Sequence, residues 1–123
     1  PIVEEGQADV LIAFERLEAL RYAHFLKKDG VMIVNDLRMD PMPVSIGAAQ
    51  YPENIIENLK KKHQVISLDA QALAKEIGNA RVFNTIIIGV AAKEDWLKVI
   101  EETVPQKTIE INTRAFEAGY ALG

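Results

Sequence analysis

The sequence predicts an α/β fold: a three-layer α/β/α sandwich around a mostly parallel, Rossmann-like sheet. Three observations support that expectation. Short apolar runs rich in β formers stand at 9–14, 31–35 and 64–68, and segments of helical period lie between them. Within the runs, successive residues are apolar rather than alternate ones, as in strands buried on both faces of a parallel sheet. Strand and helix alternate along the chain, which is the signature of βαβ units. An α+β arrangement is the alternative, and it requires the middle strands to be antiparallel.

Asp9-Val10-Leu11-Ile12-Ala13-Phe14 is read as the first strand. Glu15 to Leu26 then follows a helical period, with Leu17, Leu20, Ala23 or His24, and Leu26 able to share one side. Glu15 and Glu18 suit the first turn, and Lys27, Lys28, Asp29 and Gly30 read as its basic last turn and glycine cap. Val31 to Asn35 is the second strand. Pro41, Pro43, Gly47 and Pro52 forbid a long helix between 36 and 52, and Val44-Ser45-Ile46 reads as a short edge strand. Pro52 fits the first turn of a helix reaching about Lys62, with Ile55, Ile56 and Leu59 as its apolar side. Gln64 to Leu68 is the third strand, Asp69 the N-cap of a helix over 70–77, and Gly78 its stop. Residues 81–93 fit either a strand at Thr85–Ile88 or a buried helix. Glu94 to Thr103 and Lys107 to Leu122 read as helices separated by Pro105.

Composition limits the function classes. A chain of 123 residues, 49% hydrophobic and 26% charged, makes a single domain with its own core. A net charge of −4 speaks against nucleic-acid binding. With no cysteine, the chain carries no disulfide, thiolate nucleophile or cysteine-ligated cluster. His24 and His63 are too far apart to suggest a metal site. No apolar run approaches the ~20 residues that span a bilayer. No signal peptide is recognisable, so a cytoplasmic protein is expected. Because the first residue is Pro1, a missing upstream segment is also expected.

In open α/β sheets, ligands bind beyond the carboxyl ends of the strands. Those ends are Phe14-Glu15, Asn35-Asp36 with Arg38 following, and Leu68-Asp69. Glu15 and Glu18 could form an acid–base pair, but a first turn complementing the helix dipole, with Glu18 pairing Arg21, is the stronger reading. Arg38 could hold a phosphate or carboxylate, though a solvent-facing loop arginine is commoner. His24 is read as a core or interface histidine, and Lys60-Lys61-Lys62 as a helix terminus. Asn84 and Asn112 are polar residues within apolar helical stripes, where burial demands a partner. None of these residues makes up a catalytic set.

Four stretches, DVLIAFERLEALR (9–21), GVMIVN (30–35), NTIIIGVAA (84–92) and KTIEINTRAFEAGY (107–120), together resemble the small subunit of indolepyruvate ferredoxin oxidoreductases. The domain is similar to the gamma subunit or domain of other 2-oxoacid:ferredoxin oxidoreductases, and the resemblance spans nearly the whole chain. It implies an accessory, gamma-type subunit that is inactive alone, in a complex that decarboxylates 2-oxoacids and passes electrons to ferredoxin and the acyl group to coenzyme A. It places thiamine diphosphate and the iron–sulfur clusters on a large partner subunit, with no cofactor on this chain and coenzyme A as co-substrate. It also implies that 84–92 is helical.

The family's glycine-rich first βα turn and its upstream Gln-Arg-Gly-Gly-type segment have no counterpart here, so a sheet lacking its N-terminal strand is expected. Glu15, Glu18, Arg21, Asn35, Arg38, Asn84 and Asn112 are carried as subunit-contact positions first and substrate or coenzyme A contacts second. Association is expected, with the large subunit or with a second copy. The competing function is a free-standing α/β module binding coenzyme A or another nucleotide.

Overall fold

Three strands, β1 (Ala8–Ala13), β2 (Leu26–Asn35) and β3 (Gln64–Leu68), hydrogen-bond in the order β1-β2-β3. The structure, a computed structural model, describes residues 2–92 and 96–123. Both strand pairs are parallel, which decides for α/β over α+β. Val10–Ala13 lie opposite Val31–Val34, and Val31–Asn35 opposite Gln64–Leu68. This register brings the carboxyl ends of all three strands level, so the polar residues that follow them meet on one side.

The chain forms two compact units, Pro1–Leu68 and Asp69–Gly123. The first holds the sheet. Helix α1 (Arg16–Tyr22) packs on β1 and β2, and α3 (Ile55–Lys60) packs on β3 and α1. Ala13, Ala19, Leu26, Met32, Val34, Ile55, Ile56 and Leu59 form the core of this unit. Each large aliphatic side chain there contributes about 1.5–3 kcal/mol by leaving water. In β2, Met32 and Val34 are buried on one face and Ile33 on the other, matching the unbroken apolar run. Among the described residues β1 pairs with β2 alone, and Val10, Ile12 and the following Phe14 remain partly exposed.

Several expected boundaries shift. The first helix stops at Tyr22, a 3₁₀ turn covers Ala23–Phe25, and β2 already begins at Leu26. Ala19 is therefore the buried residue of α1, while Leu20 faces solvent. Lys27 to Gly30 belong to the strand and do not cap the helix. Lys27 Nζ pairs with Asp9 at 2.6 Å, and Gly30 has no left-handed φ. A Cβ at Gly30 would lie 2.7 Å from Leu26 Cδ1 and 3.0 Å from the Ala8 carbonyl oxygen. The glycine there permits close backbone approach in a strand whose pairing with β1 shifts register between Ala8 and Val10 of that neighbour.

Val44-Ser45-Ile46 is not an edge strand. Pro41 caps a single helical turn, α2 (Met42–Ser45), with Pro43 inside its first turn, where a missing N–H costs nothing. Pro52 does not open the next helix. Asn54, at φ 53°, turns the chain into α3 at Ile55. Asparagine is among the few residues that tolerate this left-handed conformation.

The second unit is helical: α4 (Ala70–Ile77), a 3₁₀ turn (Ala80–Val82), α5 (Phe83–Ala91), α6 (Trp96–Thr103) and α7 (Ile109–Tyr120). Asp69 Oδ1 accepts from Ala72 N at 2.9 Å, and Gly78 ends α4 at φ 99°, both as expected. The ambiguous stretch is helical through Ala91, with Ala92 as its extended cap. The last helix is preceded by a 3₁₀ turn at Gln106–Thr108. Of the expected helix over 94–103, Glu94 and Asp95 lie outside the described residues. Helices α5 and α7 pack main chain to main chain: a Cβ on Gly89 would overlap the Phe116 carbonyl oxygen, and one on Gly119 the Ile86 carbonyl oxygen. Thr85 Oγ1 donates to Asn112 Oδ1 at 2.7 Å across the same pair, and Asn112 Nδ2 donates to Thr108 O at 2.9 Å.

Gly119→Ala is expected to lower unfolding stability by about 3 kcal/mol, since the added methyl forces two backbones apart. Urea denaturation measures this, and a change below about 0.5 kcal/mol would show that the helices can separate without cost.

Candidate functional site

Glu15 stands two residues past the end of β1 and is 6% exposed, so its carboxylate must find donors inside the protein. It finds four. As N-cap of α1, its Oε2 accepts from Leu17 N at 2.7 Å and Glu18 N at 3.1 Å. Its Oε1 accepts from Met39 N at 3.3 Å and from the Tyr51 hydroxyl. The carboxylate thus joins the end of β1, the start of α1 and the segment that leaves β2.

The next strand end carries Asn35, fully buried, whose Nδ2 donates to the Phe14 carbonyl at 3.1 Å. This bond ties the tips of β1 and β2 together. Arg16 pairs with Asp36, and its backbone N–H donates to Leu37 O at 3.1 Å. Arg38 chelates Asp40 at 2.6 and 3.3 Å, and its guanidinium lies 4.5 Å from the centre of the Tyr51 ring. The hydrogen bond to Asp40 holds the guanidinium pKa above its ordinary value, with burial opposing.

Of these groups, Arg16, Asp36, Arg38 and Tyr51 line a cleft of about 1080 Å³ within the first unit, beyond the strand ends. Arg16, Asp36, Arg38, Tyr51, Lys60 and Ser67 stand around it. Of the strand-end residues Glu15, Asn35 and Arg38 read from the sequence, Arg38 lines the cleft, Glu15 bonds to Tyr51 in its wall, and Asn35 bonds to Phe14 O at the strand tips. Sequence reasoning had not found Tyr51, Arg16 or Asp36 as partners. The signal for Tyr51 was only an aromatic residue beside Pro52.

The other expected residues lie elsewhere. Glu18 and Arg21 form a half-exposed pair at 2.6 Å on α1, while the Glu15 carboxylate is engaged by the α1 cap and Tyr51. Asn84 is exposed on α5 and not within a buried stripe. Asn112 serves the α5–α7 contact. His24 is exposed, its ring 4.2 Å from that of Phe25 and its Nε2 3.9 Å from Glu5. Among the described residues, no group of three His, Asp or Glu side chains could hold a metal ion. No described helix is long and apolar enough to cross a membrane.

The parallel sheet with its strand-end cleft defines an α/β protein of the kind that places ligands or partners beyond its strands. The family model for pyruvate ferredoxin/flavodoxin oxidoreductase matches residues 1–122, and the chain belongs to that family. Similar proteins include the indolepyruvate oxidoreductase subunit IorB of Thermococcus kodakarensis, 39% identical over 132 residues, covering 96% of this chain and 64% of that protein. The subunit of the same name from Pyrococcus horikoshii is 36% identical, again covering 96% of this chain and 64% of that protein. The chain therefore spans just under two thirds of the length of these relatives. Among solved structures, the keto/oxoacid ferredoxin oxidoreductase gamma subunit of Geobacter sulfurreducens superposes with a TM-score of 0.67 at 24% identity, covering 98% of this chain and 67% of that one. The pyruvate oxidoreductase subunit PORC of Thermotoga maritima gives 0.60 at 23% identity, covering 92% and 62%. These two likenesses show the fold.

Burial, chiefly, and then the hydrogen bond to Glu15 and its negative charge push the Tyr51 phenol up to about 12 from 10, against the opposing Leu17 amide and Arg16. The native state therefore favours the neutral phenol. Its stabilising contribution is complete below pH 10 and is lost as pH rises through about 12. Stability measured by chemical denaturation is expected to fall over that window in the wild type, and the fall is expected to be smaller in Tyr51→Phe. Parallel pH profiles for the two proteins would show that the phenol is not the group responsible.

Proposed function

We propose that the chain is the gamma-type part of an accessory subunit in an indolepyruvate-type 2-oxoacid:ferredoxin oxidoreductase. The observation that supports it is the match to the family over residues 1–122, together with the IorB relatives at 36–39% identity. In this reading the assembled enzyme oxidatively decarboxylates a 2-oxoacid, passes electrons to ferredoxin and transfers the acyl group to coenzyme A. Thiamine diphosphate and the iron–sulfur clusters sit on a large partner subunit in the cytoplasm. The chain contributes surface and shape. Its strand-end polar groups bond to one another, as befits a scaffold: Arg16 to Asp36, Arg38 to Asp40, and Tyr51 to Glu15. Glu15, Asn35 and Arg38 act by fixing the cleft, while Glu18 and Arg21 on α1, and Asn84, exposed on α5, contact a partner.

The alternative, a free-standing module for coenzyme A or another nucleotide, would use Arg16, Arg38 and Lys60 for the phosphates. Both arginines already hold aspartates, so a diphosphate would have to displace a carboxylate from each.

Co-expression with a candidate large subunit tests the proposal. The chain is expected to copurify with it and to raise arylpyruvate-dependent viologen reduction. A large subunit that is equally active without the chain and never retains it would refute the accessory role. Tight calorimetric binding of coenzyme A by the chain alone would favour the free-standing module.

A further inference from the structure

Residues 36–54 form one wall of the cleft, contributing Asp36, Arg38, Val44, Gln50, Tyr51 and Pro52. This segment has almost no core of its own. Met39, Met42 and Ile46 are 62%, 73% and 69% exposed. Its internal backbone bonds are short turns: Val44 and Ser45 to Pro41 O, and Ala48 and Ala49 to Pro43 O. Pro41, Pro43 and Pro52 supply no donors. At its start it is held by the Arg16–Asp36 pair and by Arg16 N to Leu37 O. At its end the chain reverses through Asn54 in the left-handed conformation.

Between those ends, Met39 and Tyr51 attach the segment to the body of the unit through one oxygen. Met39 N and the Tyr51 hydroxyl, twelve positions apart, each donate to Glu15 Oε1. Arg38 lies over the Tyr51 ring and ties the two limbs of the segment, before and after α2, to each other. Tyr51 also packs against the core. The other carboxylate oxygen, Oε2, is committed to the α1 cap. A single carboxylate therefore divides its work: one oxygen starts a helix, and the other fastens the cleft wall.

We propose that segment 37–53 is a hinged wall of the strand-end cleft, fastened by Tyr51 and Met39 on Glu15 Oε1, and that it swings as a unit when this catch is released. Weak packing makes the segment a low-stability unit that opens without global unfolding. Release widens the cleft from the side of α2 and increases access to Ser67, which lines the cleft half-buried in β3. The device belongs to the chain itself and holds whichever function the cleft serves.

Two measurements on the full chain test it. The sequence has no cysteine, so Ser67→Cys places a single thiol at the cleft. Adding Tyr51→Phe removes the hydroxyl donor and keeps the ring. Losing one hydrogen bond to a charged acceptor is expected to speed reaction of that thiol with a disulfide reagent by about tenfold. Hydrogen exchange, followed by mass spectrometry, is expected to quicken across 38–51 in Tyr51→Phe and more so in Glu15→Gln, while amides of β2 and β3 keep wild-type protection. Unchanged thiol reactivity and exchange would overturn the proposal. So would acceleration spread equally over β2 and β3, because Glu15 and Tyr51 would then support the whole unit and not a movable wall. If Glu15→Gln does not fold, Tyr51→Phe decides alone.

Discussion

The first unit depends on one buried negative charge. A carboxylate removed from water and left unpaired costs several kcal/mol, so its neighbours must supply donors wherever it sits. Glu15 sits at the point where β1 becomes α1, and its donors come from that turn and from the chain leaving β2. Satisfying the charge therefore fixes the entry of the helix and the path of a segment more than twenty residues away. The level register of the parallel strands makes this possible, since it brings Phe14, Asn35 and Leu68 to one end of the sheet.

Around this charge the cleft is organised by local neutralisation. Each exposed arginine at the rim has its own aspartate, and exposed pairs of this kind contribute little stability individually. Their effect is on geometry: Arg16 fixes the exit of β2, and Arg38 covers the tyrosine that reaches the buried carboxylate. The arrangement suits a part that presents a shaped surface to others, as the gamma-type family reading proposes.

Much of this was legible in the sequence, and the misses have physical causes. The three strands, the Asp69 cap and the Gly78 stop were readable because runs of β-branched residues and helix caps are local signals. The end of the first helix was misread because Lys27-Lys28-Asp29-Gly30 imitates a helix terminus. Only the tertiary approach of β1 shows that Gly30 is there for clearance. Position 44–46 reads as a strand by composition, but Pro41 and Pro43 turn it into a helical start. At the site, strand-end geometry found Glu15, Asn35 and Arg38. Tyr51 was invisible because its partner is 36 residues away, and no spacing rule encodes a bond of that span.

In the second unit, the contact between α5 and α7 at Gly89 and Gly119 leaves no room for a side chain between the backbones. The distance between those helices is consequently set by peptide atoms, whose size no substitution elsewhere can change. Sequence drift on the outer faces, at Asn84, Arg114 or Glu117, can alter what the pair displays without altering its spacing. Such a pair can serve as a rigid frame on which surface chemistry varies freely.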